Sequence, residues 1–186
     1  MDALECLIGR SSASALAAPA PSGAQLDAML DAAVRAPDHG RLRPWRFVVI
    51  PEDRRTQFGT VLADCMKRRL PAATPEMLQR EAAKAMRAPL IVVVAAHVER
   101  ETKIPAIEQI AATAAAAENI MLAAHAQGFG AVWKTGAPAY DPGVRVALGL
   151  DAGDEIIGFL YVGTRTGEPA TLPRPAASTF TSVWAG

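Results

Sequence analysis

An α+β fold is predicted by three features of the chain: the order of its helical and strand-like segments, one continuous apolar run, and one long stretch dominated by alanine. From the N-terminus the order is two helices, a strand, two helices, a strand, a long helix, a strand, a short helix, a strand and a tail. That is not the regular strand–helix alternation of a doubly wound sheet. The run Leu90–Ala96, LIVVVAA, has no polar face, so the strand it forms must be covered on both sides. Residues 105–127 are dominated by alanine, the strongest helix former, ten of the 23, and their small side chains let neighbouring backbones approach. This helix is expected in the middle of the molecule or along a subunit interface.

The remaining elements follow in order. Leu4, Leu7 and Ile8 recur at helical spacing, which gives a first helix over 2–9 that delivers Arg10, Ser11 and Ser12 at its end. Ser22 and Gln25 have the spacing of a capping box, and Leu26, Met29, Leu30 and Ala33 mark one buried face of a second helix, stopped by Pro37. Arg46–Ile50, rich in β-branched and aromatic residues, predicts a strand. Charged helical segments follow over 54–69 and 75–87, separated by LPAATP. Gly128 supplies the stop for the long helix, and Gly130–Lys134 reads as a strand. Asp141 and Pro142 form a cap and first-turn pair for a short helix ending near Gly149. Glu155–Gly163 is the last strand, and 163–186 reads as an extended tail with no core of its own. The 186 residues fit a single domain over 1–186.

Composition narrows the function. Lysine plus arginine number 19 and so do aspartate plus glutamate, so no overall field draws the chain to nucleic acid or an anionic membrane, and any basic site must be local. Cys6 and Cys65 are isolated, which argues against a disulfide framework or a zinc site and for a reducing, cytoplasmic home. The start lacks the basic and apolar regions of a signal peptide, and the longest apolar strand-like run is too short to cross a bilayer. GFGAVW follows a helix and precedes a strand, the reverse of a dinucleotide fingerprint. Neither a GxxxxGK[ST] phosphate loop nor a GxSxG elbow occurs, and His39, His97 and His125 stand singly rather than in a metal-binding pair. With no acid, base or nucleophile constellation, catalysis would have to be carried by a bound cofactor.

Three short basic segments could hold one. Arg10, Ser11 and Ser12 offer a guanidinium fork and two hydroxyls just past a helix, a set suited to phosphate oxygens, although a helix C-terminus favours an arginine in any case. RAPDHGRLRPWRF places Arg35, His39, Arg41 and Arg43 on a connection stiffened by Pro37 and Pro44. WKTG, Trp133 to Gly136, ends a strand with a cation, a hydroxyl and a glycine. Arg165 and Arg174 add two further cations in the tail, and nothing in the sequence fixes their position.

MDALECLIGRSSAS, RAPDHGRLRPWRF, AQGFGAVWKTG and IIGFLYVGT resemble, in that order, the FMN-dependent nitroreductase family, and within it the short YdjA-like subgroup. The resemblance implies a nitroreductase-like α+β fold with a central mixed sheet flanked by helices, and an intertwined homodimer with FMN in clefts at the subunit interface. It implies NADH or NADPH as electron donor and a small nitroaromatic, quinone or other conjugated molecule as acceptor, with no catalytic side chain because FMN carries the chemistry. Carried onto this chain, the FMN contacts would be Arg10, Ser11, Ser12, Arg35, His39, Trp133, Lys134 and Thr135, with Lys134 meeting the phosphate. The segment Ala123, Ala124, His125, Ala126, Gln127 and Gly128 would meet the nicotinamide nucleotide. The chain departs from the pattern at Ser11 and Arg43, where the family commonly has arginine and glutamine, and at Lys134, where the subgroup has arginine. A non-catalytic flavin binder, or a plain scaffold dimer around the alanine-rich helix, are the alternatives that turnover and flavin content distinguish.

Overall fold

The computed structural model describes residues 1–167 and 173–186. Helix α1 (Ala3–Gly9) starts with a capping box, in which the Glu5 amide donates to Asp2 Oδ1 at 2.9 Å and the Asp2 amide to Glu5 Oε2 at 3.0 Å. Helix α2 (Ala24–Ala33) begins instead at Gly23, with φ 50° and no side-chain cap. The expected box between Ser22 and Gln25 is therefore not formed. The left-handed turn at Gly23 leaves Ser22 one residue too early, and the pair is joined only through the Gln25 amide and the Ser22 carbonyl, at 3.1 Å. Helix α3 (Arg55–Arg69) is followed by α4 (Pro75–Ala82), whose expected continuation to Arg87 tightens into a 3-10 turn over Ala83–Arg87. The long helix α5 spans Ala106–Ala126, and α6 Pro142–Ala147.

Five strands, β1 (Leu16–Ala17), β2 (Trp45–Ile50), β3 (Leu90–His97), β4 (Gly130–Lys134) and β5 (Asp154–Arg165), make one sheet in the order β1-β5-β3-β2, with β4 also on β5. Every described ladder is antiparallel, not mixed as the resemblance implied. The connections explain it. The α3–α4 hairpin returns the chain to the end of the sheet where β2 left, so β3 runs back against β2. The single helix α5 returns β4 in the direction of β3, but β5 inserts between them and opposes both. Strand β5 continues to Arg165, so Gly163, Thr164 and Arg165 belong to the sheet and the tail begins after them. Leu16 and Ala17 pair with Arg165 and Thr164 there, a two-residue ladder with no periodic signal of its own.

The continuous apolar run of β3 is buried on both faces, as its composition requires. Val92 and Val94 pack toward Ala116, Ala117 and Ile120 of α5 and Met29 of α2. Ile91 and Val93 pack toward Phe58 and Leu62 of α3 and Val144 of α6. Each fully buried Ile or Val on these faces contributes about 1.5–3 kcal/mol relative to exposure. Alanine at 112, 116, 117 and 124 lets α5 sit close against the sheet, so the long helix does run through the core.

Candidate functional site

The chain just after α1 gathers cationic side chains from distant parts of the sequence. Arg10 Nε lies 2.8 Å from Glu118 Oε1 on α5, while Arg10 Nη1 is buried with no hydrogen-bond partner among the described residues. Arg165 Nη2, at the end of β5, donates to the Ser11 carbonyl at 2.7 Å and to Ser11 Oγ at 3.3 Å. Arg174 Nη2 donates to the Arg10 carbonyl at 2.8 Å. Two guanidinium groups, from Arg165 and Arg174, thus reach the two residues that the sequence had marked, Arg10 and Ser11, from positions whose placement only the fold supplies. His125 adjoins them: a Cβ on Gly9 would lie 3.4 Å from its Nε2. Burial, then Arg165 and Arg10, hold the His125 imidazole below its ordinary pKa, the response of a base to a positive field. The Ala13 amide donates to the Ala131 carbonyl at 2.9 Å, which ties this segment to the start of β4.

Strand β4 leads away from that cluster along an open edge. Since Ala131 faces outward to Ala13, alternation turns the backbone N–H and C=O of Trp133 to the same side, away from β5. The Trp133 indole donates from Nε1 to the Ile157 carbonyl at 3.2 Å and lies against Gly158, where any Cβ would collide with it. Lys134 and Thr135 sit at the far end of β4, about 13 Å from Gly130 by strand rise. Lys134 is therefore not brought to Arg10. It borders a cavity on the opposite face of the sheet from α5.

Arg35 and His39, in the connection after α2, lie against other parts of α5. Arg35 lines a groove with Cys6, Asn119, Leu122, Ala123 and Ala126. His39 Nδ1 is 2.6 Å from Glu108 Oε2, and both side chains are substantially exposed. Glu108 and Glu118 are ten residues apart on α5, about 15 Å of helix, so one chain keeps His39 well away from Arg10. The loop carrying His39 is held by Asp38 Oδ2, which accepts the Arg43 amide at 2.7 Å, and by left-handed turns at Gly40, Arg41 and Arg43. Gly40 is required here: its φ is 72° and a Cβ would run into Ile104.

Within the segment proposed to meet the nicotinamide nucleotide, Ala123 and Ala126 reach the Arg35 groove and His125 belongs to the cationic cluster. Ala124 is fully buried and offers no side-chain contact, because it faces the sheet. Gln127 Nε2 donates to the Gln25 carbonyl at 3.2 Å, and Gly128, at φ 84°, ends the helix. His97, Asp151 and Asp154 also come together, His97 Nδ1 lying 2.7 Å from Asp154 Oδ1. Asp154 Oδ2 accepts the Asp151 amide at 2.8 Å, so this buried carboxylate braces the turn into β5. Among the described residues no helix is long and apolar enough to cross a membrane.

Fold and site together define a class. Residues 7–164 match the model of the nitroreductase family, and the chain belongs to that family. It is 45% identical over 165 residues, 88% of each chain, to the Escherichia coli (strain K12) protein named "Putative NAD(P)H nitroreductase YdjA". In fold it is similar to a nitroreductase-like family protein from Bacillus cereus, with TM-score 0.85 and 23% identity over 100% of this chain and 97% of that one. A nitroreductase from Desulfovibrio desulfuricans solved in complex with FMN aligns with TM-score 0.75 and 24% identity, over 98% and 97% of the two chains.

Proposed function

We propose that this chain is a homodimeric, FMN-dependent NAD(P)H oxidoreductase that reduces a small nitroaromatic, quinone or other conjugated acceptor. The observation that carries the reading is the buried Nη1 of Arg10, unpartnered among the described residues, where Arg165 and Arg174 reach the same segment. An unpaired buried donor on a charged group is costly, and a phosphate bearing roughly −1.5 to −2 charges would satisfy it. Arg10, the Ser12 hydroxyl, Arg165 and Arg174 would hold the phosphate, with Ser11 kept in place by Arg165. The open edge of β4 then runs toward the ring, where the Trp133 backbone, Lys134 and Thr135 would meet its polar rim. FMN, when bound, supplies the hydride relay between nicotinamide nucleotide and acceptor.

His39 lies too far along α5 to reach the same ligand from one chain, and a second copy would bring it, with Arg35, to the cleft. In support, α1 exposes Leu4, Leu7 and Ile8, and the tail exposes Phe180, Val183 and Trp184, apolar surface that a partner would cover. Ala123 and Ala126, beside Arg35, are the part of the long helix left for the nicotinamide nucleotide. The test is Arg10→Ala. The apparent Kd for FMN should rise about tenfold to a hundredfold, the equivalent of one charge-assisted hydrogen bond, with the apo-protein still folded by circular dichroism. Wild-type flavin content after purification would contradict the assignment.

A further inference from the structure

We infer that the face of the sheet opposite α5 carries a second ligand site, a cavity that takes a small-molecule oxyanion against Tyr161, Arg87 and Arg69. The cavity, of about 460 Å³, lies between α3, the 3-10 turn after α4 and the residues that follow β4. Four cations border it, Arg69, Lys84, Arg87 and Lys134, against a single carboxylate, Glu81. Glu81 is buried and its Oε2 sits 2.6 Å from Lys84 Nζ, so these two neutralise each other. Arg69, Arg87 and Lys134 have no carboxylate partner among the described residues.

Cations at a rim are an ordinary solvated surface unless something beneath them also asks for a ligand. Tyr161 does. Its ring is buried, the residue being 4% exposed, it lines the cavity, and its hydroxyl, open to solvent there, bonds none of the described residues. A phenol hydroxyl that bonds no protein group where it lines a cavity is a donor free to meet a ligand's acceptor. Burial pushes the phenol pKa up while Arg87 opposes it, and the group remains a neutral O–H donor near pH 7. A donor below and three unpaired cations above select a ligand rich in negatively charged oxygens, a phosphate or a carboxylate. Lys134 also stands at the ring end of the proposed flavin cleft, so the bound anion would be held beside that ligand; this placement alone rests on the flavin reading.

Such an anion could come from the nucleotide donor or from an acidic acceptor, and the two sources are separable. ADP and adenosine, and 4-nitrobenzoate and nitrobenzene, would be titrated calorimetrically into the wild-type protein and into Tyr161→Phe and Arg87→Gln. At least one anion should bind more tightly than its uncharged counterpart and weaken about tenfold in both variants. Flavin content, and turnover with an uncharged quinone at saturating NADH, should stay at wild-type levels in both. Preference for ADP assigns the site to the donor and preference for 4-nitrobenzoate to the acceptor. Neither anion exceeding its counterpart, or equal binding by wild type and both variants, overturns the inference. The titrations read the anion site even if the protein holds no flavin, so failure of one reading is not mistaken for failure of the other.

Discussion

Around Arg10 the fold concentrates positive charge that the whole chain does not possess, and His125 reports it. Its imidazole is held below the ordinary pKa of 6.5 by burial and by Arg165 and Arg10. A base depressed in the folded state binds fewer protons there than in the unfolded chain, so this group makes folding less favourable as pH falls through 6.5 and below. A bound phosphate reverses the local field. The His125 pKa, followed by NMR, should therefore rise when FMN is added. An unmoved His125 titration would place the phosphate elsewhere. The residues flanking this cluster were legible as a phosphate-like set because a guanidinium and two hydroxyls stand side by side in sequence. Arg165 and Arg174 were not, since their approach depends on β5 and the tail folding back over more than 150 residues of chain.

Among the elements, the junction of α3 and α6 shows how one carboxylate does two things. Asp141 caps α6, its Oδ1 accepting the Val144 amide at 2.9 Å, and it takes two bonds from Arg68 of α3, at 2.6 and 3.3 Å. Arg68 holds the Asp141 carboxyl below its ordinary 3.8, with burial acting against it. A depressed carboxyl contributes stability above its unfolded pKa and loses it as pH falls through the folded one. Asp141→Ala should lower unfolding stability at pH 7 by about 2 kcal/mol in urea titration, from the lost cap and ion pair together. The difference from wild type should shrink progressively below pH 3.8. Elements with strong local chemistry were the ones read correctly: the alanines of α5, the Asp141–Pro142 start of α6, the uninterrupted valines of β3. Those settled by partners were not. Two-residue β1 exists because β5 offers it an edge, and the direction of β4 relative to its neighbour depends on where β5 inserts.

At the scale of the whole molecule, the Arg10 end and the His39 loop are separated along α5, and apolar side chains on α1 and the tail face outward. A chain with no net charge and such surface is prone to self-association, and two copies would both cover that surface and complete each cleft. On the proposed reading the flavin site needs two chains. Sedimentation velocity of the purified protein with excess FMN, monitored at once by protein and flavin absorbance, tests it most directly. The account predicts that flavin co-sediments with a particle of two 19.6 kDa chains, one flavin per chain. Well-folded single chains sedimenting without flavin would contradict it.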